Sequence, residues 1–486
     1  MSTRPNVVYI LADDMGYGDV SCLNPDSKIR TEHLDRLAAE GMRFTDAHAS
    51  SAVCTPSRYS ILTGRYNWRS SLKRGVLFGY DRPLIEPDRV TVAGMLRERG
   101  YATGCVGKWH LGWAWAKRSE EPRDVDYTRP IRGGPTDVGF DRFVGIAASL
   151  DMPPYVYVDN DTPTAVPTRE TAGDDSLMAV HRPGPIADDF EHADVLPRLT
   201  REAESFIDEH ADGEQPFFLY FPLPAPHTPI LPTAAFQGKS GTNAYGDFCL
   251  QCDDVVRRVM ERLEAHDVAD DTIVIFTSDN GCSPRADIDG LVEMGHHPSY
   301  VFRGHKADIY EGGHRVPLLI RWPDGIEANS TCDDTVCLVD LFATLAEIAG
   351  YETPDDAAED SVSNLPLWRG DASAEPVREA TVHHSVDGSF SIRRGRWKLE
   401  LCPGSGGWSW PTPGEETDDM PVFQLYDLEA DVGEQKNVIA DHPEVVEELK
   451  AILVRDVKRG RSTPGPPQTN EGGELWEGLE WMEASV

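Results

Sequence analysis

Short apolar runs alternate with amphipathic stretches through the first half of the chain. Residues 6–11, NVVYIL, are continuously apolar over a strand's length and predict a buried strand. Residues 31–41 place Leu34, Leu37 and Ala38 on one helical face, with Thr31 as the cap and Gly41 as the stop. A short strand at 42–47, a helix at 90–99 stopped by Gly100 and a strand at 101–106 follow. The same reading predicts a helix at 196–210, a strand at 216–221, a long helix at 243–266 and a strand at 272–278. This alternation predicts an α/β fold with helices on both faces of a sheet. Ligands in such folds sit beyond the carboxyl ends of the strands.

Residues 113–195 break the pattern. They are rich in Pro, Asp, Thr and Gly, too long for an ordinary connection, and read as a functional insertion or lid. After Gly350 the character changes. Residues 389–394 and 396–401 alternate like a hairpin turning near Gly395, 422–428 predict another strand and 444–457 a last helix. The chain thus divides into a main domain at 1–375 and a smaller α+β domain at 376–486, whose tail from Arg459 is rich in Pro, Gly and Glu.

Charge narrows the possible functions. The 486 residues carry a formal net charge of -36, which disfavours a protein that grips the phosphate backbone of nucleic acid. A small anionic substrate stays possible, because a few cations in one pocket can hold one anion. Ten of the 46 basic residues are lysine. Abundant Asp with scarce Lys suits a salt-rich habitat, and equally an acidic protein from a GC-rich genome. No apolar run reaches the length of a membrane span. NVVYIL is too short for an export signal and is followed at once by Asp13 and Asp14. The expectation is a cytoplasmic chain, or a secreted or periplasmic one whose signal has been removed. The nine cysteines are too scattered for a disulfide framework, and Cys249 and Cys252 read as small apolar core residues.

Two oxygen-rich clusters follow predicted strands: Asp13-Asp14, and Ser278-Asp279-Asn280-Gly281. Paired oxygen donors at two strand ends suit a hard cation, and flexible calcium better than strictly octahedral magnesium. The same residue types also cap helices and form Asx turns. A third cluster reads Cys54-Thr55-Pro56-Ser57-Arg58 and runs on to Leu62-Thr63-Gly64-Arg65. Pro56 suits the first turn of a helix, which puts Cys54 at a helix N-terminus that attracts an anion, with Arg58 one turn on. A thiolate nucleophile is one reading of this cysteine, but the phosphate-cradling loop of a cysteine phosphatase is missing.

C-x-P-S-R followed by L-T-G-R closely resembles the signature of the type I sulfatases, in which a maturing enzyme oxidises the cysteine to formylglycine. A second signature of that family stands at 100–112, GYATGCVGKWHLG. The resemblance continues through Pro226-His227-Thr228-Pro229, Ser278-Asp279-Asn280-Gly281, residues 306–317 (KADIYEGGHRVP), Arg396-Trp397-Lys398-Leu399 and Leu425-Tyr426-Asp427-Leu428. It covers nearly the whole chain and is thinnest in the irregular middle. It implies an alkaline phosphatase-like fold, with a large mixed sheet sandwiched by helices, and a calcium-dependent sulfuric ester hydrolase. Residue by residue, it implies that Asp13, Asp14, Asp279, Asn280 and the matured residue 54 hold the calcium. Formylglycine made from Cys54, hydrated to a diol, attacks sulfur. Arg58 and Lys108 hold and activate the diol, Lys306 and His227 bind sulfate oxygens and help the alcohol leave, and His110 is the base when the diol collapses. A formylglycine-generating enzyme is the implied partner in maturation.

The stretch between Asn280 and Lys306 holds Arg285, Asp287, His296, His297 and Arg303, and resembles that of microbial sulfatases acting on sulfated sugars. His297 and Arg303 are candidate substrate contacts. Asp151, Trp113 and Trp115 are further candidates, with packing as the alternative for the tryptophans. The expected substrate is a sulfated monosaccharide or short oligosaccharide. Two other readings stay open at this point: a phosphonate monoester or phosphodiester hydrolase of the same superfamily, and a non-catalytic binder of sulfated ligands if Cys54 is not converted.

Overall fold

The first apolar run becomes the middle of a ten-stranded sheet in the computed structural model, which describes residues 4–371, 376–415, 417, 419–471 and 479–485. Across the sheet the strands run 330–332, 42–44, 318–321, 272–278, 6–12, 217–222, 102–108, 142–146, 158–159 and 162–163. The five strands from 272–278 to 142–146 are mutually parallel. Antiparallel pairing of 318–321 with its two neighbours makes the sheet mixed. Val7, Val8, Ile10 and Leu11 are fully buried, as are Phe217–Phe221. Strands covered on both faces read as unbroken apolar runs, which is why these were legible.

The covering helices fall into two packed groups. Glu32–Ala39, Val195–His210 and Ala244–Ala265 form one, and Cys54–Thr63, Val92–Glu98 and Leu341–Ala349 the other. The long helix is capped by Asn243, whose side-chain oxygen accepts from the amides of Tyr245 (3.0 Å) and Gly246 (3.2 Å). Asn243→Ala is expected to cost about 1–2 kcal/mol, read as a lower urea midpoint at unchanged slope.

The structure departs from the sequence reading at three places. Thr31 does not cap the helix that follows it. Its hydroxyl is engaged by the amide and hydroxyl of Ser21, and the carboxylate of Asp253 accepts from the amides of His33 and Leu34 instead. That cap comes from a residue more than two hundred positions away, which local pattern does not reveal. The stretch 113–195 is not wholly irregular, since 142–146, 158–159 and 162–163 extend the main sheet. Strand 318–321 and helix Leu341–Ala349 are additional elements.

The second sheet is antiparallel, in the order Thr381–His384, Phe390–Arg394, Trp397–Glu400, Gln424–Asp427. The expected hairpin turns at Gly395, where φ is +55°. Helix Pro443–Arg459 packs on this sheet, and Val382, Phe390, Ile392, Leu399, Leu425 and Leu453 share a core with Tyr66 and Trp68 just beyond the Cys54 helix. The expected boundary at 375–376 abuts 372–375, and the expected tail includes 472–478; both segments lie outside the described residues. Among the described residues no helix is long and apolar enough to cross a membrane.

Candidate active site

Parallel neighbours end on the same side of a sheet, so the sheet itself gathers the site. Strand 6–12 leads directly to Asp13 and Asp14, 272–278 to Asp279 and Asn280, and 102–108 ends on Lys108 with His110 just beyond. All six side chains are buried. The helix Cys54–Thr63 is buried along its whole length and delivers Cys54 and Arg58 to the same place. Lys306 arrives from the loop before Glu311, and His227 from the segment beyond strand 217–222.

Each carboxylate has its own cation. Lys108 Nζ is 2.6 Å from Asp13 Oδ2, and Lys306 Nζ is 2.6 Å from Asp14 Oδ1. Arg58 donates twice to Asp279 Oδ2, at 2.9 and 2.8 Å, and once to the Lys108 carbonyl at 2.7 Å. Burial alone would raise the Asp13 carboxyl, but Lys108, His227, Arg58 and Lys306 together hold it well below the usual carboxylate range. Burial and the adjacent Asp13 push the Asp279 carboxyl up to about 6, against the pull of Arg58. Burial also pushes the Cys54 thiol up, with Lys108 and Lys306 opposing it, so the site does not favour a standing thiolate.

Two buried oxygens in this cluster, Asp13 Oδ1 and Asn280 Oδ1, have no hydrogen-bond partner among the described residues. The Asn280 amide donates to Asp14 Oδ1 at 2.7 Å, which fixes its orientation and leaves the oxygen free. Asp13, Cys54 and Asp279 each present an atom within 4.8 Å of the others, as do Asp13, Asp14 and His227. Orphaned buried oxygens are costly unless something meets them, and a set dominated by carboxylate and amide oxygens fits a hard divalent cation.

The two histidines are held through opposite ring nitrogens. His110 Nε2 lies 2.7 Å from the Leu77 carbonyl, which only accepts, so Nε2 carries the proton and buried Nδ1 keeps a lone pair that no described residue engages. Burial, with Lys108 and Arg58, holds this imidazole well below its ordinary range and therefore neutral. His227 Nδ1 donates to the Thr228 carbonyl at 2.7 Å and leaves Nε2 3.6 Å from Asp14 Oδ2. Asp14 and His110 both adopt left-handed backbone angles, φ +69° and +58°. Such angles are rare for residues with a β-carbon and cluster at functional sites.

These contacts, two signatures and a mixed α/β sheet converge on one family. The sulfatase profile matches residues 5–351, and an N-sulphoglucosamine sulphohydrolase C-terminal profile matches 303–402. The chain belongs to the sulfatase family. It is 36% identical to an N-acetylgalactosamine-6-O-sulfatase of Bacteroides thetaiotaomicron, with 93% of each chain covered. It is 32% identical to human arylsulfatase A, covering 96% of this chain and 91% of that one. A solved B. thetaiotaomicron sulfatase structure, described with that organism's metabolism of glycosaminoglycans, superposes with a TM-score of 0.81 at 34% identity, covering 93% of this chain and 99% of that one. This chain is accordingly an enzyme that hydrolyses sulfuric esters.

Not every sequence candidate joins the cluster in this sulfatase. Arg303 is engaged elsewhere: it donates to Tyr426 Oη (3.2 Å) and the Glu434 carbonyl (2.8 Å) and lies 3.8 Å from the Tyr310 ring centre. His297 is exposed, and its carbonyl packs against Gly18. Trp113 and Trp115 are buried in edge-to-face contact, which is packing. Arg285 is exposed, and Asp287 caps helix Ile288–Glu293. Arg65 of the first signature pairs with Glu86 and Glu359. Asp151 does come close, with Oδ1 4.0 Å from His227 Nδ1 and Arg182 on its other oxygen.

A supporting layer escaped the sequence reading. Asp19 accepts from His296 Nε2 (2.8 Å), the Gly16 amide (2.7 Å) and the Tyr245 hydroxyl, which also lies 3.0 Å from the Asp14 carbonyl. This buried group braces the backbone that carries Asp14. Tyr245 sits in an amphipathic helix like any core aromatic, so no local signal marks it.

Proposed function

We propose that this sulfatase acts on a sulfated sugar through formylglycine made from Cys54 and a calcium ion held by Asp13, Asp14, Asp279 and Asn280. The observation that carries the reading is the buried cluster of three carboxylates, three cations and two orphaned oxygens around Cys54. Calcium, when bound, supplies charge that draws the sulfate ester in and stabilises the charge developing on its oxygens. Formylglycine at position 54, once hydrated, would supply an oxygen nucleophile, and breaking the carbon–oxygen bond to the bound sulfate would release sulfate and return the aldehyde.

The chain's own residues do the rest. Arg58 is held by Asp279 and the Lys108 carbonyl, and so lends positive charge at a fixed position beside residue 54. Lys108, paired with Asp13, joins Arg58 in holding the hydrated residue 54, and Lys306 presents its ammonium group to the substrate's sulfate oxygens. Burial lowers and Asp14 raises the affinity of Lys306 for its proton; the net shift is upward, so it stays charged. His227 Nε2 is placed to carry a proton to the departing alcohol, with its ring held by the Thr228 carbonyl. His110 Nδ1 is the base, kept neutral and aimed by the Leu77 carbonyl. The B. thetaiotaomicron relative makes 6-O-sulfated N-acetylgalactosamine the first substrate to test.

Protein co-produced with a formylglycine-generating enzyme is expected to release sulfate from that sugar and from an aryl sulfate. Calorimetry should show calcium binding that weakens in Asp13→Asn. Faster turnover of an aryl phosphodiester than of either sulfate ester would overturn the substrate reading, and absence of calcium binding would overturn the metal assignment.

A further inference from the structure

Three aromatic side chains stand widely open to solvent among the described residues: Phe78 at 48%, Trp408 at 49% and Trp410 at 70% exposure. Their backbones all lead to the proposed catalytic groups. Phe78 follows Leu77, whose carbonyl receives the His110 proton and whose amide donates to the hydroxyl of Thr55, next to Cys54. Trp408 and Trp410 lie on a loop after strand Trp397–Glu400 that is clamped onto the segment bearing Lys306. Asp308 Oδ1 accepts from the amides of Trp408 (2.7 Å) and Ser409 (2.9 Å), and Asp308 Oδ2 from the Ser409 hydroxyl. The Ile309 amide donates to the Ser405 carbonyl at 2.7 Å. Gly407 approaches so closely that a β-carbon there would stand 2.5 Å from the Ala307 carbonyl oxygen. The Ala307 amide in turn donates to the carbonyl of Ala52, two residues before Cys54, at 2.8 Å.

A folding role does not account for this arrangement. Exposed indoles contribute little burial, yet the loop's backbone is fastened by a buried carboxylate, so the rings are presented rather than stored. Flat apolar faces with polar groups beside them suit the C–H face of a pyranose ring, whose positively polarised hydrogens meet the negative π face while its hydroxyls reach polar neighbours. His305, hydrogen-bonded to Ser409, and Arg182, over the Phe78 ring and paired with Asp151, are such neighbours. Stacking also needs no positive charge. That matters for a chain of net charge -36, whose field repels a long sulfated polymer.

We propose that Trp408 and Trp410, with Phe78, form a sugar-stacking rim that holds the saccharide unit next to the sulfated one. The preferred substrate is then an oligosaccharide rather than a free sulfated monosaccharide. This rests on the sugar-sulfatase reading above.

The test compares kcat/KM on 6-O-sulfated N-acetylgalactosamine and on a tetrasaccharide carrying the same sulfated unit. Wild type is expected to prefer the tetrasaccharide. That preference should fall roughly 3- to 10-fold in Trp408→Ala and in Trp410→Ala, through KM, and return in Trp410→Tyr. A double alanine variant that keeps the wild-type preference overturns the proposal. The rim is also read without chemistry, by titrating an unsulfated tetrasaccharide against intrinsic tryptophan fluorescence. Quenching that disappears in the double variant supports the rim, and no quenching in wild type overturns it. If wild type is quenched yet cleaves neither sulfated probe, the proposed function fails while the rim stands.

Discussion

Replacing Cys54 with alanine is expected to lower sulfate release by roughly 10⁴-fold or more, because it removes the only atom from which the proposed nucleophile can be made. The fold should survive. Cys54 is buried at the first turn of a helix that is closed at its other end by Gly64 in a left-handed conformation, and the change deletes one sulfur. The thermal midpoint should therefore move little while turnover vanishes. Cys54→Ser separates the readings further. A serine hydroxyl flanked by Lys108 and Arg58 can accept sulfate once, but it leaves an ester that only water attacking sulfur can clear. A single-turnover burst followed by stalling is expected. In the wild-type protein, activity should track the fraction of the Cys54 peptide that is lighter by roughly 18 Da, the loss on conversion to the aldehyde. Activity in fully unconverted protein would instead assign the chemistry to the thiol, which burial disfavours.

Much of the candidate site can be read from sequence because its residues sit at ends of strands that are themselves legible. The apolar runs 6–11 and 272–278 mark two neighbouring parallel strands, and the polar residues immediately after them fall side by side by geometry. Cys54, Arg58, Lys108 and His110 came from local motifs. Partners supplied from far along the chain were not legible. Asp253 replaces Thr31 as a cap, Asp19 and Tyr245 brace Asp14, and Asp308 clamps the loop bearing Trp408. Each is an ordinary polar or aromatic residue whose role exists only once two distant segments meet. Arg303 shows the same limit from the other side. A cation near a motif suggested a substrate contact, but its guanidinium is engaged by Tyr310, Tyr426 and Glu434.

The same logic of distant partners makes Lys398→Met the substitution with the largest expected effect on stability. Lys398 extends from strand Trp397–Glu400 into a fully buried space. Its Nζ meets Glu434 Oε1 at 2.7 Å, the Ile309 carbonyl at 2.9 Å, Glu311 Oε1 at 3.1 Å and Glu400 Oε1 at 3.3 Å. Around it, His314 stacks on His383 at 3.9 Å between ring centres, and Arg393 and Arg315 pair with Asp46. Burial would raise the Glu311 carboxyl, but Lys398, with His48, Arg393 and His314, holds it well down; burial already pushes Glu400 up. Methionine keeps much of the stem's packing and removes the charge, which leaves Glu311 and Glu434 under-neutralised in a space water does not reach. Breaking a buried pair in this way costs about 3–5 kcal/mol, or roughly a 5–10 °C lower midpoint for a cooperative unit of a few hundred residues. Arg36→Met is the contrast. That arginine is largely exposed and pairs with Glu40 and Glu264 at the surface, so its loss should cost under about 1 kcal/mol. Because Lys398 also fixes the Ile309 carbonyl, three residues from Lys306, the variant should lose turnover at temperatures where it is still folded. A Lys398→Met protein as stable as wild type would show instead that the carboxylates around it are satisfied by protons rather than by the lysine.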